Sequence, residues 1–267
     1  MNEIILDHGE GLGGDLEVIQ RRLIARRGAL GMIAGLSATG LVSSRAWGAA
    51  CLADPKETSG PYPADGTNRS SGVTSDILTR SGIVRSDIRR SFIGTTTLAQ
   101  GVLVRLTLTL VNTNASCAAL SGYAVYLWQC DRAGHYSLYT AAAESYLRGV
   151  QVTNANGRVA FTTIFPGCYS GRWPHMHFEI FKSRAAATVG TKALLTSQLA
   201  MPSAIASRVY SNASGYSASV ANFKNVSLAD DLVFGDDTLA QLTAMTPKMS
   251  GSVAGGYVAT ATIGVAV

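Results

Sequence analysis

From Cys51 to the end of the chain, apolar residues recur at every second position and not at every third or fourth. That period limits the fold more than any other feature. Side chains of an extended strand point to opposite sides in turn, so alternation marks a strand with one buried face. Val102–Leu110 alternates in this way, and Ala124–Trp128 reads as a second strand. Arg158–Ile164 follows the turn pair Asn156-Gly157 and is ended by Pro166-Gly167. His175–Phe181 is a fourth strand, and Tyr257–Ile263 follows Gly255-Gly256 as a last one. Helical periodicity is weak, with one or two turns expected over Ser203–Val209. The expectation is an all-β chain, a β-sandwich of mostly antiparallel strands with long loops and little helix. Residues 51–267 hold no repeat and no linker and are read as one domain.

Residues 1–50 follow different rules. Arg21-Arg22 and Arg26-Arg27 precede an uncharged stretch, Gly28–Ser44, and small residues then lead to Ala49-Ala50-Cys51. A basic region, a short apolar core and a small-residue end describe an export signal. Arg26-Arg27-Gly28-Ala29-Leu30 has the paired-arginine form of the twin-arginine route, with cleavage expected near Ala50. Lipidation of Cys51 is the weaker alternative. The expected location is therefore periplasmic or extracellular, with no stable membrane span in the mature form.

The chain carries a net charge of +5, and the deleted leader would leave that unchanged. No block of Lys or Arg stands out, so nucleic acid is not an expected partner. The four cysteines, Cys51, Cys117, Cys130 and Cys168, suggest two disulfides in an exported chain. Cys117 with Cys130 and Cys51 with Cys168 is the first choice among three pairings. No C-x₂-C spacing supports a zinc site.

The chemistry centres on Arg172-Trp173-Pro174-His175-Met176-His177-Phe178. On a strand, His175 and His177 share one face, where two neutral imidazoles can chelate a metal. Met176 and Phe178 then face the core. Tyr136 lies upstream in Trp128–Tyr136, and Thr163–Tyr169 comes just before the histidines.

In order and spacing these segments resemble the intradiol ring-cleavage dioxygenases, the family of protocatechuate and catechol dioxygenases. Glu57-Thr58-Ser59-Gly60-Pro61-Tyr62 and Arg85-Ser86-Asp87-Ile88 extend the likeness toward the start of residues 51–267. The exported single-chain branch is the nearest, because the helical dimerisation region of other branches is missing. The resemblance implies a prealbumin-like sandwich. It also implies one non-haem Fe(III) held by Tyr136, Tyr169, His175 and His177. Phenolates are hard anionic donors that a trivalent ion can keep ionised. By the same resemblance, Tyr169 leaves the metal and takes a substrate proton, Arg172 stabilises negative charge near the ring, and Gln198 sits by the attacked carbon. Tyr62 and Trp173 are expected at the substrate pocket, and His135 is expected to face solvent. Glu179 is a weaker candidate, as the carboxylate of a two-histidine facial triad. Cys168 stands where relatives often carry Trp or Pro, and two further departures, a longer loop over 182–194 and Ala200 in place of an aromatic, bear on pocket size. The implied reaction is intradiol cleavage of a catechol by O₂ to a cis,cis-muconate, with the small aromatic diol and O₂ as partners and a homo-oligomer left open. The rival expectation is a secreted β-sandwich binding module whose metal site does no chemistry.

Overall fold

The computed structural model describes residues 51–267; the export signal read in residues 1–50 lies outside the described residues. Strand β1 (Leu103–Asn112) buries Val104, Leu106, Leu108 and Leu110 and exposes Arg105, as its alternation requires. The short β2 (Ala118–Ala119) pairs with its end. Strand β3 (Ala124–Trp128) starts a second sheet, in which it lies between β4 (Arg148–Val152) and β6 (His175–Phe181). Strand β7 (Leu195–Ala200) pairs with β6 at the other edge. The first sheet is completed by β5 (Arg158–Ile164), β8 (Lys248–Ser252) and β9 (Gly256–Val265). Pairing is antiparallel throughout except between β1 and β9, which run parallel.

The two sheets face each other across an apolar core. Leu106, Leu108, Phe161 and Ile263 come from one side, and Val125, Leu127, Met176, Phe178 and Leu199 from the other. Burying such a face is the main favourable term for a sandwich. Strand β6 is buried along its whole length because its outer face is covered as well. Ala64, Ile77, Leu78 and Ile83, from the segment before β1, pack over Tyr126, Trp128 and Tyr136 on that side. This outer layer, made from loops, is what turns an exposed sheet face into an enclosed site.

Three α-helices appear among the described residues: α1 (Ser203–Asn212), α2 (Ser217–Lys224) and α3 (Leu239–Met245). The first occupies the expected helical stretch and extends beyond it. At the β4–β5 turn, Gly157 has a φ of +70°, and a Cβ there would stand 2.4 Å from the Leu110 carbonyl oxygen. Only glycine fits that position.

The cysteine pairing differs from expectation. Cys51 is bridged to Cys117, while Cys130 and Cys168 are buried thiols. The chain between Cys117 and Cys130 crosses from the first sheet to the second, which separates those two residues despite their short spacing. The bridge also occupies the Cys51 sulfur that lipidation would require. No helix among the described residues is long and apolar enough to cross a membrane.

Candidate metal centre

Strand β6 sets His175 and His177 on the outer face of the second sheet, both buried, while Met176 and Phe178 enter the core. The Nδ1 of His175 lies against the Trp173 carbonyl oxygen. A carbonyl only accepts, so Nδ1 carries the proton and Nε2 presents its lone pair to the site. The Trp128 indole lies flat on the His177 ring, with centroids 4.8 Å apart and planes 6° apart.

Two loops bring the phenols. Tyr136 follows the turn after β3, where its N–H donates to Thr140 Oγ1. Tyr169 follows Gly167-Cys168 and is only partly buried, whereas Tyr136 is 1% exposed. The four donor atoms converge. Tyr136 Oη stands 3.1 Å from His177 Nε2, 3.3 Å from His175 Nε2 and 3.5 Å from Tyr169 Oη. His175 Nε2 is 3.1 Å from Tyr169 Oη and 3.1 Å from His177 Nε2. Two donors bound to one ion at about 2.1 Å and roughly 90–110° stand about 3.0–3.4 Å apart, so the cluster has the dimensions of a metal site.

The donors' chemistry agrees with the geometry. Burial, with Arg172 nearby, pushes His175 down to about 3, and burial with His175 drives His177 well below its usual range. Both imidazoles are neutral. Burial pushes Tyr169 up to about 12 and Tyr136 well above the phenol range. Burial alone keeps both phenols protonated, and a cation bound among them would favour the ionised forms. Among the described residues no group of three or more His, Cys, Asp or Glu side chains could hold a metal; a metal bound at the two histidines would have to draw on the tyrosines. Glu179 does not join it. Its carboxyl lies beside Asp65 and 3.5 Å from Thr196 Oγ1, and burial together with Asp65 raises it to about 9.

The structure joins Arg172 to Gln198, which stands opposite His177 on β7. Arg172 Nη2 donates to Gln198 Oε1 at 2.7 Å, and Gln198 Nε2 donates to the Thr58 carbonyl at 2.9 Å. Asp231 accepts from Arg172 Nε at 2.9 Å and from the Trp173 N–H at 2.6 Å. That carboxylate was not picked out in the sequence. It lies 59 residues beyond Arg172 in a loop, with no periodicity to link the two. The Tyr62 ring stands 4.9 Å from that of Tyr136. Gly60, in the same segment, has a φ of +68°, which favours glycine, and a Cβ there would be in ordinary contact with His177 Cε1 at 3.4 Å. Trp173 is buried. Its indole N–H donates to the Met201 carbonyl, and its ring packs on Phe223 and Phe234 in the core beneath α3. His135 is exposed, as expected.

Residues 93–211 match the family model Dioxygenase_C, described as dioxygenase. The structure is similar to an intradiol ring-cleavage dioxygenase from Tetranychus urticae, with 23% identity, 81% of this chain and 95% of that one covered, and a TM-score of 0.60. It is also similar to a dioxygenase designated Tetur07g02040, with the same identity and coverage and a TM-score of 0.58. The dioxygenase domain of a carbohydrate-binding fusion from Streptomyces sp. SirexAA-E aligns over 81% of this chain and 99% of its own, at 20% identity and a TM-score of 0.48. No curated protein matches the sequence.

Proposed function

We propose that the chain, whose residues 93–211 match a dioxygenase family model and whose fold is that of an intradiol ring-cleavage dioxygenase, opens a catechol-type ring between the two hydroxylated carbons. Both atoms of O₂ enter the product, a cis,cis-muconate-type dicarboxylate. The observation that carries this reading is the set of four donors, two phenols and two imidazoles, 3.1–3.5 Å apart with no carboxylate among them. One Fe(III) per chain, held by Tyr136, Tyr169, His175 and His177, would keep the phenols ionised and make a bound catecholate reactive toward O₂.

The chain's own residues divide the remaining work. Tyr136 is fully buried and His175 is oriented by the Trp173 carbonyl, so these are the fixed donors together with His177. Tyr169 is the more exposed phenol and sits on a loop. It is the donor that gives way, and its Oη takes a proton from the incoming diol. Arg172, set by Asp231 and Gln198, places a fixed positive charge beside the histidines where negative charge develops. The Tyr62 ring stands against Tyr136 and offers an aromatic face to the substrate ring.

Export by the twin-arginine route belongs to the same proposal. The Cys51–Cys117 bridge supports it, because disulfides persist in oxidising compartments.

The test is O₂ uptake by the iron-loaded protein with a panel of catechols, with the products identified. A ring-opened dicarboxylate is expected. A 2-hydroxymuconic semialdehyde would mean cleavage outside the diol and would overturn the reading. The iron-loaded protein should also be coloured by phenolate-to-iron charge transfer, and Tyr136→Phe and His177→Ala should each remove that colour. A retained spectrum would refute the donor set.

A further inference from the structure

Arg148 opens strand β4, is 0% exposed, and has no part in the chemistry described so far. A buried charge normally sits beside an opposite one. Arg148 instead spends its five N–H groups on uncharged oxygens. Nε donates to Ser137 Oγ at 2.9 Å. Nη1 donates to the Pro63 carbonyl at 2.8 Å and to Tyr126 Oη at 2.9 Å. Nη2 donates to the Tyr62 carbonyl at 2.9 Å and to the Ser137 carbonyl at 2.8 Å. Every donor of the guanidinium is used.

The partners are what give this arrangement meaning. Tyr62 is the aromatic wall, and Ser137 directly follows the donor Tyr136. Register places Arg148 on the same cross-strand row as the site: Arg148 pairs with Trp128, Trp128 with His177, and His177 with Gln198. One buried row thus runs from Arg148, through the indole stacked on His177, to the glutamine that holds Arg172. Leu138 and Leu147, the residues next to Ser137 and Arg148, both have positive φ, at 66° and 56°. Non-glycine residues hold that conformation only where their surroundings force it.

We propose that Arg148 is a positioning residue for the metal centre: its guanidinium rivets the Tyr62-Pro63 backbone to the Ser137 backbone and so fixes where the Tyr136 phenol and the Tyr62 ring stand. The role rests on the reading of the four donors as an iron site. Lysine keeps the charge but supplies fewer donors and no planar fork, so Arg148→Lys separates riveting from charge.

The experiment uses the full chain, first metal-free and then loaded with Fe(III). In the metal-free variant, amide hydrogen exchange should rise about ten-fold or more over 58–66 and 136–140, with β1 unchanged. In the loaded variant the visible band should shift and KM should rise more than kcat falls. A variant with a lower Tm but unchanged local exchange, band and KM would show a purely structural residue and overturn the proposal. If Arg148→Lys does not fold, Tyr126→Phe removes one acceptor and the Tyr126–Pro63 bond, and should move the same readouts less far. Wild-type protein that takes up no iron would end the metal-centre reading and the role toward it. The exchange data would still decide whether the rivet exists.

Discussion

Asp54 shows at the scale of one residue how burial can dominate a charge state. Its carboxyl is 6% exposed and accepts the Gly264 N–H at 2.6 Å, and its other oxygen has no hydrogen-bond partner among the described residues. Burial raises it to about 7, against the pull of the Gly264 bond and with a further push from Asp237. A carboxyl raised on folding binds more protons in the folded state. Its contribution is greatest below its ordinary value near 4 and is lost as the pH climbs to about 7. Asp54→Asn keeps an oxygen for Gly264 and removes the titration. The variant should therefore lose less Tm between pH 4.5 and 8 than wild type, measured by thermal unfolding at both values. Equal losses would show that Asp54 is not the source. The sequence named the four donors, and Arg172 and Gln198 separately, through an H-x-H spacing and one family likeness; their pairing came from the structure. It did not single out Asp231 or Arg148 for the site, because both act through contacts that no local pattern encodes.

Among the elements, the strands with clean alternation were legible to within a residue or two: β1, β3, β5, β6 and β9. Strand β4 was missed because it is five residues long and opens on a buried arginine where a core strand would carry an apolar residue. Strand β7 was hidden in polar text, Leu195-Thr196-Ser197-Gln198, although its Leu195 and Leu199 face the core. Helix α3 carried an available signal. Thr238 and Gln241 form a capping box, with Thr238 Oγ1 accepting the Gln241 N–H at 3.3 Å and Gln241 Oε1 accepting the Thr238 N–H at 2.9 Å. This helix buries Leu242 and Met245 against the core that contains Trp173. Thr238→Ala should cost about 1 kcal/mol, read as a Tm lower by roughly 2–4 °C with iron binding unchanged. No change in Tm would mean that the packed face alone holds the helix.

At the scale of the whole molecule, the Cys51–Cys117 bridge closes a loop with a sequence separation of 66 and fastens the start of the described chain beside β1. The chain-entropy account gives such a loop about 4 kcal/mol of stabilisation. Urea unfolding with and without reductant should show a lower midpoint for reduced wild type. The double variant Cys51→Ser, Cys117→Ser should not respond to reductant. A wild-type midpoint unmoved by reduction would remove the bridge from the account. Charge behaves differently from its total. The chain is +5 overall, yet Asp231, Asp236 and Asp237 all act on Glu57, with Arg172 as the one opposing charge among its strongest neighbours. Burial, with Asp237 and Asp236 adding to it, raises Glu57 to about 7.

The sequence by itself determined the sandwich and the histidine face, because a period of two and an H-x-H spacing are properties of one extended segment. The resemblance of its motifs to a known family named the two tyrosines beside those histidines. Tertiary structure alone decided the rest. It chose the disulfide, since chain direction between the sheets separates cysteines that are neighbours in sequence. It ran the last strand parallel to the first, and it covered the outer face of the second sheet with the segment before β1. It also brought Arg148 and Asp231 to the centre from loops and strand ends. Those outcomes depend on which surfaces must be buried together and which buried polar groups must find partners, and neither condition can be met within a single stretch of chain.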